Sequence, residues 1–261
     1  MERVRCVMLD LDGTVYLGDQ LFPYTLDFLK TLKEKHIGYL FLTNNSSKGA
    51  EEYLRKFSRM GIETDEAHLL ISTHAAADYL KKHYPGKRVA VLGTDSMKAE
   101  LLKKGIPLSD RDPEVCLAGF DTSLNYENLT RFCNFVASGL PYIATHPDKV
   151  CPAEHGFLPD LGGFMALIET CTGRRPEVIC GKPNEQILIA AENLTGFDRT
   201  ELLMVGDRLS TDIAIGAWGV RTCLVLSGEA RKEEIPDAPV PPTCVYENIG
   251  ALGRDLPPIP D

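Results

Sequence analysis

The stretch V-R-C-V-M-L-D-L-D-G-T-V-Y, residues Val4 to Tyr16, decides how the rest of the chain is read. Val4, Val7, Met8, Leu9 and Leu11 put apolar side chains on both faces, the pattern of a strand buried in a parallel sheet. The run then breaks into Asp10, Asp12, Gly13 and Thr14. In an extended chain residues two apart leave the same face, so Asp10 and Asp12 crowd two carboxylates together unless a cation or a proton intervenes. Gly13 permits a sharp exit at the carboxyl end of the strand, where open α/β sheets keep their ligands. A plain polar turn built on Asp12-Gly13 is the simpler alternative. It weakens because the same kind of ending recurs.

A helical stripe from Leu26 to His36, closed by Gly38, leads to a second apolar strand, Tyr39 to Leu42, which ends in Thr43, Asn44, Asn45, Ser46 and Ser47. Ser47 suits the N-cap of a helix from Lys48 to Met60. A short strand (68–72) and a helix (75–83) follow. Much later, Val178 to Cys180 runs into Gly181-Lys182-Pro183-Asn184, which holds one long cation in a rigid junction ahead of a helix (185–194). The strand Leu202 to Val205 again terminates in chemistry, G-D-R-L-S-T-D, with Asp207 at its tip and Asp212 opening a helix from Ile213 to Trp218. Arg221 to Leu226 reads as one more strand, Arg231 to Glu234 as a solvated charged face, and Leu256 to Pro260 as a tail.

Thr43 and Lys182 stand 139 residues apart, whereas a βαβ crossover takes about 30 residues or somewhat more. The surplus of roughly 100 residues is domain-sized. Within it, strands at 88–92, 115–119 and 142–144 alternate with helices at 96–104 and 126–138, and a helix from Leu161 to Thr172 ends at Gly173. The expected fold class is therefore α/β: a doubly wound, parallel-sheet, Rossmann-like core from residues 1–80 and 179–261, with an inserted α/β domain at 81–178. The loop Thr145 to Pro159 is rich in His, Asp, Lys, Cys and Glu. It faces a ligand or is simply solvated.

Composition narrows the function classes. The 261 residues are 44% hydrophobic and 25% charged, ordinary for a soluble globular protein. A net charge of −9 provides no positive field for nucleic acid or anionic lipid. Met1 to Cys6 enter the first strand without a signal-peptide run, and no apolar stretch reaches membrane-spanning length, so a cytoplasmic protein is expected. Eight cysteines without a C-x-x-C are expected to be reduced and mostly buried. His146, Cys151 and His155 lack the tight spacing of a zinc site.

Together the strand tips and the Lys182 junction offer Asp10, Asp12, Asp207, Asp212, Thr43, Asn44, Asn45 and Lys182. Two or three oxygens from Asp10, Asp12 and Asp207 suit Mg2+, a hard cation that keeps several waters. Thr43, the amides near Asn44 and Asn45, and Lys182 suit phosphoryl oxygens. The order D-L-D-G-T, Thr43, Lys182, G-D-R-L-S-T-D resembles the four motifs of the haloacid dehalogenase superfamily. T-H-P-D at Thr145 to Asp148 and T-G-R-R-P before G-K-P resemble its NagD or para-nitrophenylphosphatase-like branch, with a C2 cap between the second and third motifs. His146, where such caps commonly carry asparagine, and Asp160, in P-D-L-G where P-G-x-G is usual, depart from that pattern in the substrate-facing part of the cap.

The resemblance implies a magnesium-dependent phosphatase acting on a small phosphorylated metabolite. Asp10 would be the nucleophile that forms a phosphoaspartate, Asp12 the acid and base, Lys182 the charge-neutralising group, and Asp207 a metal ligand oriented by Asp212. A phosphotransferase or mutase and a phosphometabolite-binding regulator with little turnover are the alternatives. The leaving group and the oligomeric state stay open, and a cap-mediated homodimer is compatible with the sequence.

Overall fold

The computed structural model of the chain describes residues 3–152 and 156–259. Met1, His155 and Pro260, which entered the readings of the N-terminus, the zinc triad and the tail, lie outside the described residues. The chain divides into two compact units, one of Met1–Thr43, Leu54–Leu70 and Ala191–Asp261, the other of Asn44–Tyr53 and Ile71–Ala190. As expected, the fold is α/β with parallel sheets.

In the first unit, β1 (Cys6–Leu9) is buried along its whole length. Full enclosure of Val7, Met8 and Leu9 contributes about 1.5–3 kcal/mol per side chain. A two-residue pairing of β2 (Tyr16–Leu17) with β3 (Gln20–Leu21) forms the small flap after the aspartates. Helix α1 (Thr25–Glu34) buries Phe28 and Leu32. Gly38 does not close it. His36 takes the positive φ of 58° that reverses the chain, and Gly38 already opens β4 (Gly38–Thr43), which pairs in parallel with β1. Helix α2 (Ala50–Arg59) and β5 (Leu69–Ile71) follow, and β5 completes one edge of the sheet.

Ile71 leads into α3 (Ser72–His83) of the second unit. There β6 (Val89–Leu92), β7 (Val115–Ala118) and β8 (Tyr142–Ala144) pair in parallel, interleaved with α4 (Asp95–Lys103) and α5 (Tyr126–Ala137). The loop expected at Thr145 to Pro159 contains an antiparallel hairpin, β9 (Val150–Pro152) with β10 (Phe157–Pro159). Its three-residue strands are too short to show an alternating pattern. Helix α6 (Leu161–Thr172) closes at Gly173, whose φ is +70°. It packs Leu161 and Ile168 with Phe132, Val136 and Tyr142 in this unit's core.

Strand β11 (Val178–Ile179) pairs with β8, and backbone bonds from Cys180 to Ala144 and from Gly181 to Thr145 extend the ladder up to Lys182. The expected boundary at 178/179 thus falls inside β11. Helix α7 (Glu185–Thr195) then leads to β12 (Leu202–Gly206), β13 (Arg221–Val225) and β14 (Cys244–Tyr246). The six-stranded sheet has the order β14-β13-β12-β1-β4-β5.

The helix expected from Ile213 to Trp218 is instead a wide π turn, Leu209–Ile213, followed by a 3-10 turn, Ala214–Trp218. The buried Asp212 carboxylate accepts from Arg208 N at 3.0 Å and draws the turn inward. The tail is also tied down. Helix α8 (Ile249–Asp255) precedes it, Leu256 is buried, Lys35 Nζ donates to Gly253 O (2.8 Å), and Ile259 N donates to Lys35 O (3.0 Å).

Ser47 does not cap α2. Its N and Oγ both turn to Asn45 Oδ1, at 3.0 and 2.7 Å. The helix N-terminus is served instead by Glu100 of α4, which accepts from Ala50 N (3.1 Å) and pairs with His74 Nε2 (2.8 Å). The His74 hydrogen bond holds the buried Glu100 carboxyl down at about 2, against an ordinary 4.5. A depressed carboxyl contributes stability that is complete above the unfolded value and is lost as pH falls toward the folded one. We expect Glu100→Gln to cost about 1.5–3 kcal/mol near neutral pH in urea unfolding, with the gap from the parent narrowing below pH 4.5. A gap that stays constant down to acid pH would contradict the charge-assisted role.

Candidate active site

The first cluster grows from two adjacent strand tips. Leu9 pairs with Val205, and Asp10 N donates to Val205 O at 2.9 Å, so Asp10 is carried alongside the end of β12. Asp207 follows Gly206, and the π turn brings back Asp212. One carboxylate oxygen from each of Asp10, Asp207 and Asp212 lies within 4.8 Å of the others. Asp207 and Asp212 are almost completely enclosed. Burial, followed by the charges of Asp10 and Asp212, pushes the Asp207 carboxyl well above the ordinary carboxylate range.

Two glycines give Asp207 its space. Gly13, at φ +86°, and Gly228 both approach the Asp207 carboxylate so closely that a Cβ at either position would overlap it. Glu229 N donates to Asp207 Oδ2 at 2.7 Å, Thr14 Oγ1 reaches Oδ1 at 3.4 Å, and Ser227 Oγ donates to Gly13 O at 2.7 Å. The sequence reading missed Ser227, Gly228 and Glu229. Their signal was available, since S-G-E follows the strand at Arg221 to Val225 in the same polar-ending pattern as the other tips.

The three carboxylates offer oxygen donors alone in a largely buried setting, a set that fits a hard divalent cation such as magnesium. Asp212, expected only to support, stands within the carboxylate group. The Asp12 carboxylate does not. Strand geometry stops at Leu9, so the two-residue period no longer governs Asp12. Its exposed side chain accepts from Gly18 N at 3.1 Å, at the flap. Thr43 is buried at the end of β4.

The second unit holds the other expected residues. Lys182 is 2% exposed, and its peptide bond to Pro183 is cis. Asn44 grips its backbone from both sides: Lys182 N donates to Asn44 Oδ1 (2.8 Å), and Asn44 Nδ2 donates to Lys182 O (3.0 Å). Asn44 Nδ2 also reaches Asp148 Oδ2 at 3.1 Å. The Asn45 side-chain oxygen accepts from both Ser47 N and Ser47 Oγ and so shapes the turn that follows β4.

His146 and Asp160 prove to be partners. His146 Nε2 meets Asp160 Oδ1 at 3.0 Å, and Nδ1 meets Thr145 Oγ1 at 2.9 Å, with the imidazole fully enclosed. Asp160 also caps α6 through Leu161 N. The two departures from the family pattern are thus one buried pair that roots the β9–β10 hairpin. His146, Asp148 and Asp160 bring one ligand-type atom each within 4.8 Å of the others. Cys151 lies outside that group, with its sulfur near Asn45 Nδ2 at 4.0 Å. Among the described residues, no helix is long and apolar enough to cross a membrane.

Comparison with known proteins agrees with this arrangement. Residues 7–107 match the haloacid dehalogenase-like hydrolase family and residues 179–252 a HAD-hydrolase-like family. The chain is 33% identical over 258 residues to the acid sugar phosphatase of Staphylococcus aureus strain MRSA252, covering 98% of this chain and 99% of the relative. The structure of a 4-nitrophenylphosphatase from Thermotoga maritima superposes with a TM-score of 0.93 at 39% identity, covering 97% of each chain. NagD from E. coli K-12 gives 0.86 at 31% identity, covering 95% of this chain and 97% of that one. With the strand-tip aspartates in the order its motifs require, the chain belongs to the haloacid dehalogenase-like hydrolases, in the branch of NagD and the nitrophenylphosphatases.

Proposed function

We propose that the protein is a magnesium-dependent phosphatase that hydrolyses small phosphate monoesters through a phosphoaspartate on Asp10. The observation that carries this reading is the group Asp10, Asp207 and Asp212, three carboxylates gathered in a largely buried site with oxygen ligands only. Relatives of the same length act, by their names, on sugar phosphates and on 4-nitrophenyl phosphate, which supports a small-ester substrate. Residues 1–80 with 179–261 form the catalytic core in this reading, and 81–178 the C2 cap.

Asp10, Asp207 and an oxygen of Asp12 hold the cation, with Asp212 beside them. When bound, magnesium neutralises the carboxylates and the phosphoryl group and lowers the barrier to approach of one anion to another. Asp10 attacks phosphorus and the ester oxygen leaves. Asp12 protonates that oxygen and then accepts a proton from the water that cleaves the phosphoaspartate. Its exposed setting by the flap, away from the carboxylate group, supports a proton-exchanging role over purely metal-binding duty. Thr43 and Lys182 bind phosphoryl oxygens, with Lys182 fixed through the Asn44 clamp on its backbone. An acid at position 12 favours ester hydrolysis over carbon–halogen cleavage. The substrate is a small phosphorylated metabolite met in the cytoplasm, with neither nucleic acid nor membrane as partner.

Asp10→Asn keeps the shape of the nucleophile but removes its anion. Turnover of 4-nitrophenyl phosphate should fall by at least about 1000-fold, or about 4 kcal/mol, with an unchanged circular dichroism spectrum. Residual activity within tenfold of the parent would contradict covalent catalysis by this residue. Asp12→Asn should slow single-turnover phosphorylation by an alkyl phosphate more than by 4-nitrophenyl phosphate, because the aryl oxygen leaves without a proton. Equal losses on both esters would count against Asp12 as the acid.

A further inference from the structure

The hydrolytic reading leaves one chemically reactive pair unused. Cys223 of β13 and Cys244 of β14 are direct register partners on neighbouring parallel strands. Adjacent strands run about 4.8 Å apart, within the Cα separations of about 4.4–6.8 Å that a disulfide spans. As register partners in one sheet, the two residues send their side chains from the same face. Each S–H also lies near a carbonyl of the same two-strand ladder, Cys223 Sγ at 3.9 Å from Leu224 O and Cys244 Sγ at 4.0 Å from Thr222 O. Burial separates their roles. Cys223 is fully enclosed, whereas Cys244 is half-buried on the edge strand of the six-stranded sheet.

We propose that Cys223 and Cys244 form a redox-active dithiol that closes to an intramolecular disulfide on reaction with a low-molecular-weight disulfide. Cys244, reachable from solvent, attacks one sulfur of the reagent, forming a mixed disulfide and releasing one small thiol. Cys223 then attacks the Cys244 sulfur, losing its proton as the second small thiol departs. Two protein thiols are oxidised and one reagent disulfide is reduced to two thiols. The electrostatics suit this order, because the neighbouring Cys223 thiol draws Cys244 below its ordinary range, while Cys244 and burial push Cys223 well above it. The bond would staple the edge strand to β13, which runs directly into the Ser227–Glu229 loop around Asp207.

The test is oxidation of the full chain with glutathione disulfide, followed by alkylation and peptide mapping. Free thiols should fall from eight by two, with a linked Cys223–Cys244 peptide. Cys223→Ser should stall at a mixed disulfide on Cys244, and Cys244→Ser should leave Cys223 unreacted. The proposal is overturned if the parent chain retains the mixed disulfide at Cys244, if neither residue reacts, or if Cys133 and Cys171 pair instead. It is equally overturned if the linked peptide forms only together with reaction of the buried Cys6, Cys116 and Cys180, which would mark an unfolded chain.

Discussion

Mutual repulsion among Asp10, Asp207 and Asp212 is the constraint around which the first unit is built. Carboxylate oxygens within 4.8 Å of one another repel by at least about 3–4 kcal/mol per charged pair at an effective dielectric constant of about 20, and burial adds the cost of lost hydration. A domain with ordinary marginal stability does not carry such a group without compensation. Part comes from fixed donors: Glu229 N on Asp207, Arg208 N on Asp212 and the Thr14 hydroxyl. The Arg208 charge also acts on Asp207, and the three carboxylates could share a metal ion. The raised Asp207 carboxyl expresses the same balance, since without a metal a proton takes that place.

The backbone makes this crowding affordable. Parallel pairing of β1 with β12 fixes the relative height of Asp10 and Asp207 to within a residue, and apolar burial of both strands supplies the rigidity. Gly13 and Gly228 let two turns close around one carboxylate. In the second unit the same economy appears in another form. One asparagine, Asn44, holds the backbone of Lys182 through both its carbonyl and its amide groups, and the buried His146–Asp160 pair anchors the hairpin whose root includes Asp148. A histidine and an aspartate, each unusual alone, make sense as a hydrogen-bonded couple.

Apolar runs ending in polar residues made β1, β4, β12 and β13 legible in the sequence, and with them Asp10, Thr43 and Asp207. Long strongly periodic helices such as α6 were equally readable, down to Gly173. What escaped depends on distant partners. Local pattern alone assigned the α2 cap to Ser47, but Glu100, fifty residues on, performs it. Asp12 was grouped with Asp10 by the strand period, which ends with β1 at Leu9. The π turn at Leu209–Ile213 follows from where Asp212 points, a tertiary demand that helical propensity does not encode. Strand β14 and the hairpin β9–β10 are three residues each, below the length at which alternation declares itself.

The central claim, that the three carboxylates repel one another and together suit a cation, is tested most directly by thermal unfolding of Asp207→Asn beside the parent chain at about pH 9, above the raised Asp207 value of about 8, with and without magnesium. Removing one negative charge should raise the melting temperature of the metal-free protein, and should abolish the rise that magnesium produces in the parent. A metal-free variant less stable than the parent, or one that magnesium still stabilises to the parent's extent, would contradict the account.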